Sequence, residues 1–236
     1  MSKLDILFIN PNSAKKAYQD LAKVYSAIEP PTWALLLAKS LSKECNVNIL
    51  DCDALRLSDK KAIQEIEYLN PKLVCFVIYG QNPNSGTTSM IGADSLAKNL
   101  KDSNKKFKII FIGSHASALP MEVLSKEFVD FISINEGVET LRQLIKTNFE
   151  NYELNKVNGL GYKDNNNPIL TNPSQTVKNL DEDLPGYSWD LLPYNKKPLD
   201  LYRAHYWHTN FKEKDRTPFA AIYTSLGCQF KCNFCM

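Results

Sequence analysis

Apolar residues fall along the first two thirds of the chain in two alternating periods. Short apolar runs bounded by polar or turn residues occur at Leu4–Ile9, Val47–Leu50, Leu73–Tyr79, Lys108–Ile112 and Phe128–Ile132. Continuous apolar runs of this length predict strands buried on both faces, as in a parallel sheet. Between them the spacing becomes helical. Trp33, Leu37 and Leu41 recur every four residues, with Ala34 and Ala38 beside them. Ile63, Ile66 and Leu69 recur every three, Met90, Ala93, Ala97 and Leu100 mark a longer helix, and Val138, Leu141 and Ile145 another. Five βα units within residues 1–150 predict an α/β domain, an open five-stranded parallel sheet with helices on both faces. Right-handed crossovers favour a flavodoxin-like (Rossmann-like) strand order, 2-1-3-4-5. Such sheets take ligands beyond the carboxyl ends of their strands, so the informative loops are 10–31, 80–88, 113–120 and 133–137.

After residue 150 the pattern changes. Val157–Lys163 and Pro168–Thr171 flank the polar cluster Asp164-Asn165-Asn166-Asn167, which predicts a β-hairpin. From Pro173 to Pro218 the chain is rich in Pro, Asn, Asp and Lys and nearly aperiodic, an irregular connector. Tyr187, Trp189, Leu191, Leu192, Tyr202, Tyr206 and Trp207 nonetheless give it apolar material with which to pack. Phe219–Leu226 is strand-like again. The expected division is an α/β domain at 1–150, hairpin and connector at 151–218, and the start of a further domain at 219–236.

Composition narrows the class only modestly. Of 236 residues, 44% are hydrophobic and 23% charged, the balance of a globular protein. A net charge of +2 without a Lys/Arg run predicts neither a nucleic-acid nor a membrane partner. No apolar stretch is long enough to span a bilayer, and the N-terminus enters a strand without a signal-peptide core, so a cytoplasmic location is expected.

The six cysteines sharpen the picture by their placement. Cys45, Cys52 and Cys75 lie singly among apolar residues and are expected to be small buried side chains. Cys228, Cys232 and Cys235 share one short segment, Gly227-Cys228-Gln229-Phe230-Lys231-Cys232-Asn233-Phe234-Cys235-Met236. Three thiolates spaced C-x3-C-x2-C on a loop after a strand can hold three irons of a [4Fe-4S] cluster and leave the fourth open. The competing reading is a structural zinc site, which requires a fourth ligand such as His205 or His208.

The segment resembles the radical SAM superfamily, whose members carry CxxxCxxC after the first strand of a barrel, usually with an aromatic before the third cysteine, here Phe234. The resemblance implies that Cys228, Cys232 and Cys235 ligate the cluster. It also implies that S-adenosylmethionine binds the open iron and is cleaved to methionine and a 5′-deoxyadenosyl radical. The whole layout resembles the cobalamin-binding class of that superfamily. The matching pieces are Asn10-Pro11, Pro30-Pro31-Thr32-Trp33-Ala34-Leu35, Gly113-Ser114-His115-Ala116-Ser117-Ala118-Leu119-Pro120 and Asn135-Glu136-Gly137-Val138-Glu139. Further matches are Gly159-Leu160-Gly161-Tyr162 and Leu180-Asp181-Glu182-Asp183-Leu184-Pro185.

This resemblance implies a cobalamin (B12) cofactor, with Asn10, Gly80, Ser85, Gly113, Ser114, His115 and Glu136 as candidate contacts. Small residues at strand ends permit close approach of a flat ring. The ordinary alternatives are turn chemistry for Gly80, Ser85 and Gly113, and helix capping for His115 and Glu136. Cobalamin-dependent mutases carry Asp-x-His-x-x-Gly after the first strand, and its His ligates cobalt. Here that loop is Asn10-Pro11-Asn12-Ser13-Ala14-Lys15, without His. The expectation is cobalamin with its tail detached and no protein His on cobalt. The implied activity is S-adenosylmethionine cleavage with methyl transfer to an unactivated carbon of a small-molecule substrate, served by an electron donor such as flavodoxin or ferredoxin. Catalytic side chains are not identifiable. A radical SAM barrel needs on the order of 200 residues, so this stretch alone is expected to be inactive, the N-terminal portion of the enzyme. The alternatives are a non-catalytic cobalamin carrier or sensor with a vestigial cysteine tail, or a flavodoxin-like domain with another ligand.

Overall fold

A computed structural model describes residues 4–79, 85–194, 201–210, 212–227, 230 and 232–233. The apolar runs form parallel strands β1 (Ile6–Asn10), β2 (Val47–Asp51), β3 (Leu73–Ile78), β4 (Lys108–Gly113) and β5 (Phe131–Ser133). The hairpin supplies β6 (Leu160–Asp164) and β7 (Asn167–Leu170). One sheet contains all seven in the order β2-β1-β3-β4-β5-β6-β7. The parallel part has the expected flavodoxin-like order. The hairpin does not stand apart from it: β6 pairs antiparallel with β5, with Ile132 opposite Gly161. A Cβ on Gly161 would run into the Ile132 side chain, so that crossing needs glycine.

The helices are α1 (Ala14–Tyr18), α2 (Leu21–Tyr25), α3 (Thr32–Leu41), α4 (Asp59–Leu69), α5 (Ser85–Ser103), α6 (Ser114–Ala118), α7 (Pro120–Ser125), α8 (Val138–Lys146), α9 (Asn151–Leu154) and α10 (Leu180–Asp183). Helix α4 starts where Ser58 accepts a hydrogen bond from the Lys61 N–H and ends at left-handed Asn70, just before Pro71. Two apolar cores flank the sheet. Ile6, Phe8, Cys75 and Ile110 face α3, α8 and part of the connector. Leu7, Ile9, Val74, Phe76 and Phe111 face α4, α5 and α7. Alternate strand residues thus serve opposite cores, which is why these strands read as continuous apolar runs.

Three expectations need correction. Phe219–Leu226 contains no strand among the described residues; the nearest ladder contact is an isolated bridge between Pro218 and Arg203. It lacks a partner edge, and apolar content alone does not make a strand. The last parallel strand begins at Phe131 rather than Phe128, since Asp130 turns its carboxylate onto the Ile109 N–H at 2.7 Å. The loop after β1 is not wholly irregular but contains α1 and α2. Among the described residues no helix is long and apolar enough to cross a membrane. Cys52 and Cys75 are buried as expected, and Cys45 is half-buried.

Candidate functional site

Residues at the carboxyl ends of β1, β2 and β3 open onto a cavity of about 1050 Å³. That is at the upper end of ordinary ligand pockets, roughly 300–1,000 Å³. Asn10 and Pro11 come from the end of β1, Asp53 from the loop after β2, and Val77 and Tyr79 from the end of β3. Helices α1 and α2 contribute Tyr18, Leu21 and Tyr25, and the start of α3 contributes Trp33. The segment after α2 adds Glu29 and Pro30, the start of α5 adds Thr88 and Ser89, and the connector and the residues after it add His205, Trp207, Ala221, Ile222 and Tyr223.

Trp33 organises the aromatic side of the cavity. Its ring lies 5.4 Å from Tyr79 and meets Tyr223 edge-on at 5.7 Å, both within the range of favourable aromatic pairs. Its Nε1–H donates to the Glu136 carbonyl at 3.1 Å, and the Tyr79 hydroxyl donates to the Asn135 carbonyl at 3.3 Å. The loop after β5 therefore enters the site through its backbone, which holds two aromatic rings in place.

A buried polar knot joins the connector to the sheet edge. The Asp51 carboxylate, 1% exposed, accepts from Asn10 Nδ2 at 2.8 Å, from the Ala54 N–H at 3.0 Å and from the Tyr202 hydroxyl at 2.7 Å. Burial raises its pKa despite these donors. Tyr202 is held protonated by burial and by the neighbouring Asp51 charge. Arg216 adds a second fastening. It donates to the carbonyls of Ala204 at 3.0 Å, Val24 at 2.9 Å and Ser26 at 2.5 Å, pinning the connector to the C-terminal end of α2. The Thr32 hydroxyl donates to the Ala221 carbonyl at 2.9 Å, and the Tyr223 N–H donates to the Tyr187 hydroxyl at 2.9 Å.

Two acids line the cavity itself. Burial pushes Glu29 up to about 7, and His205 Nε2 lies 2.7 Å from Glu29 Oε1. Burial, with His208 and Arg216 nearby, lowers the pKa of His205. Both shifts favour neutral partners sharing one proton. Asp53 is also pushed up to about 7, by burial first and then by the Asp51 charge.

The residues singled out in the sequence are distributed along this edge. Asn10 lines the cavity and also holds Asp51. Gly113 ends β4 against β3, and a Cβ there would collide with the Ile78 carbonyl. A Cβ on Gly86 would likewise meet the Ser114 hydroxyl and come within 3.2 Å of the Ile78 carbonyl. These glycines let α5 and α6 approach the strand ends. His115 is buried, with Nδ1 3.1 Å from the Thr87 hydroxyl and Nε2 4.0 Å from Glu122. Its ring ties α6 to the start of α5 and does not line the cavity. Glu136 contributes its carbonyl to Trp33. Ser85 begins α5. Gly80, Cys228 and Cys235 lie outside the described residues, and Cys232 is exposed. Glu29, Asp51, Asp53 and Tyr223 were not foreseen as site residues, and His205 was foreseen only as a fourth ligand in the zinc reading. The one available signal was Asp51, a carboxylate ending a buried apolar run.

The B12 binding domain family matches residues 18–145, more than half of the chain. An uncharacterized methyltransferase of Pyrococcus horikoshii is 28% identical over 237 residues, covering 100% of this chain and 46% of that protein. The anaerobic magnesium-protoporphyrin IX monomethyl ester cyclase of Synechocystis sp. is 26% identical over 191 residues, covering 80% of this chain and 34% of the cyclase. This chain thus spans about half or less of the length of these relatives. Among solved structures, the cobalamin-dependent S-adenosylmethionine radical enzyme OxsB, with aqua-cobalamin and S-adenosylmethionine bound, superposes with a TM-score of 0.61 at 17% identity. That match covers 80% of this chain and 25% of OxsB. The radical S-adenosylmethionine methyltransferase TsrM from Kitasatospora setae, with cobalamin and a [4Fe-4S] cluster bound, gives 0.56 at 17% identity, covering 75% of this chain and 30% of TsrM. At such identities the likeness shows a shared fold. From the family match over residues 18–145, which include β2 to β5 and the helices between them, the chain belongs to the B12-binding domain family.

Proposed function

We propose that this chain binds cobalamin across the carboxyl edge of its sheet, as the cofactor-binding part of a cobalamin-dependent radical SAM enzyme. The carrying observation is the aromatic-walled cavity of about 1050 Å³ at the ends of β1, β2 and β3, within a B12-binding domain. The residues present suit a large, flat, mostly apolar ligand. Trp33, Tyr79 and Tyr223 offer ring faces and edges, and Gly86 and Gly113 keep the neighbouring strand ends low. Asn10 belongs to the cavity contacts, while Gly80, Ser85, Gly113, Ser114, His115 and Glu136 are assigned to the remainder of the cofactor along the same edge. Cobalamin, when bound, supplies a cobalt centre that carries a methyl group.

The loop after β1, residues 10–31, contains no His, and His115 is turned to Thr87. His205 lines the cavity but is engaged with Glu29. Cobalt is therefore assigned no protein nitrogen. Cys228, Cys232 and Cys235 are assigned to one [4Fe-4S] cluster that would bind S-adenosylmethionine. The assigned reaction is methyl transfer to an unactivated carbon of a small molecule. Support for this comes from the C-x3-C-x2-C spacing and from the names and bound groups of the relatives.

The test loads residues 1–236 with hydroxocobalamin, removes the excess and records the absorbance. The sample is then reduced to the cob(II)alamin state for EPR. A retained cofactor without nitrogen superhyperfine splitting is the expected result. Failure of the folded chain to retain cobalamin would overturn the reading. Nitrogen splitting that vanishes in His115→Ala or His205→Ala would overturn the assignment of no protein nitrogen to cobalt.

A further inference from the structure

The cofactor reading leaves open why an aromatic cavity should carry two half-buried acids. Glu29 reaches it from the segment after α2, and Asp53 from the loop after β2. They are close enough for the Glu29 charge to act on Asp53. Among the described residues that line the cavity there is no Lys or Arg. Arg56 acts on Asp53 from outside the lining, without offsetting its burial. One oxygen of Glu29 is engaged with His205, which fixes the direction of its carboxyl group. The lining is therefore rich in acid groups and offers no cation for a ligand's negative charge.

A carboxyl group titrating near neutrality suits one kind of polar partner particularly well. Protonated, it donates to an amide oxygen; ionised, it accepts from an amide N–H. A primary amide offers both, so it is satisfied in either state. A ligand carboxylate is served only by the protonated state and repels the ionised one at short range in a desolvated site.

We propose that Glu29 and Asp53 read primary amides on the edge of a corrinoid, so that the cavity accepts the amidated ring and rejects one bearing free carboxylates there. The inference rests on the cobalamin reading and adds a selectivity to it. It makes the chain a late acceptor: the reactions that supply its ligand must include amidation of the corrinoid periphery.

The experiment titrates residues 1–236 with two tail-less probes. Dicyanocobinamide carries amides, and cobyrinic acid carries carboxylates in their place. Binding is followed by isothermal titration, with hydroxocobalamin as reference. Cobyrinic acid is expected to bind at least about tenfold more weakly than the cobinamide, the effect of one desolvated like-charge contact. Asp53→Asn and Glu29→Gln, tested singly, should each narrow that ratio by about threefold or more. Equal affinity of the wild-type chain for the two probes overturns the proposal, and this comparison needs no variant to fold. A ratio unmoved in both folded variants overturns it as well. If the cobinamide and hydroxocobalamin both fail to bind, the cobalamin reading itself falls and the selectivity falls with it. Binding of hydroxocobalamin and cobinamide with an unselective response to cobyrinic acid removes the selectivity alone.

Discussion

The centre of the sheet and the connector are held in place by different physics. In β1, β3 and β4 the backbone is paired on both sides, and Phe8, Phe76 and Phe111 are fully buried. Among the described residues, 201–227 have no sheet of their own. They are joined to the rest by a single bridge, Ile28 to Arg203, and by bonds involving Tyr202, His205, Arg216, Thr32 and Tyr187. Trp207 is 54% exposed and Ile222 60%. The sheet is ordered by area removed from water, spread over many residues. The connector buries fewer side chains, Leu201, Tyr202 and Ala204 among them, and relies more on a handful of polar contacts, each of which can be deleted singly. Such segments open locally at lower free energy than the core. Yet both regions line the same cavity, so ligand binding depends on the weaker of the two.

The comparison can be broken first at its strong end. Phe76→Ala removes a ring that lies 5.1 Å from Phe111 in the core. It should cost about 3–5 kcal/mol, read as a shift of the urea midpoint. A loss below about 1 kcal/mol would mean that the core repacks freely and that the contrast is overstated.

The knot between the two regions comes next. Tyr202→Phe leaves the buried Asp51 carboxyl with one donor fewer, at a cost of about 1–3 kcal/mol. Because the same change frees the connector, hydroxocobalamin affinity should fall in parallel. Unchanged affinity in a destabilised protein would show that the connector wall is dispensable. The same reasoning predicts that residues 1–172 alone, lacking Tyr202, His205, Trp207 and Tyr223, bind cobalamin more weakly than the full chain.

The pH dependence carries a definite sign. Asp53 has an ordinary value of 3.8 and about 7 in the fold, so the folded chain binds more protons between those values. Stability should therefore fall as pH rises from about 4 to 7 and level off above. The drop attributable to Asp53 should be of order 1–2 kcal/mol, after allowance for screening at the cavity mouth. Asp53→Asn should flatten the thermal midpoint against pH. An unaltered slope would place the titration elsewhere.

The smallest expected effect on global stability tests the weak end. Arg216→Ala removes three bonds to backbone carbonyls from a partly exposed site and should leave the unfolding midpoint nearly unchanged, within about 0.5 kcal/mol. Limited proteolysis within 201–227 should nevertheless quicken. Equal cleavage rates would mean that the connector is held by its aromatic contacts instead.

The strands and long helices were legible because burial on two faces leaves a pattern that a neighbour cannot disguise. Ile6 to Ile9 read as a strand without any knowledge of what covers them, and Leu73 to Ile78 likewise. Even there the pattern understated the outcome. In α3 the periodic positions were Trp33, Leu37 and Leu41, but Leu35, Leu36 and Ser40 are buried too. The connector covers the far side of the helix, with the Ser188 N–H on the Leu35 carbonyl and the Ser40 hydroxyl on that of Asp183. For the site, Asn10 was legible as the residue closing β1. Glu29 and His205 were not: they are 176 residues apart and acquire meaning only where they meet.

The sequence by itself determined the parallel strands, the glycines at the carboxyl edge and the cysteine spacing, because each rests on local periodicity or short-range spacing, and the handedness of βα crossovers added the strand order. Only the tertiary structure decided that the hairpin continues the sheet and that Phe219–Leu226 forms no strand. It alone placed Tyr202 on Asp51 and brought two acids into one aromatic cavity. These outcomes rest on contacts between segments far apart in the chain. A residue's polarity gives no address for its partner, and the free energy of a buried carboxyl is set by that partner.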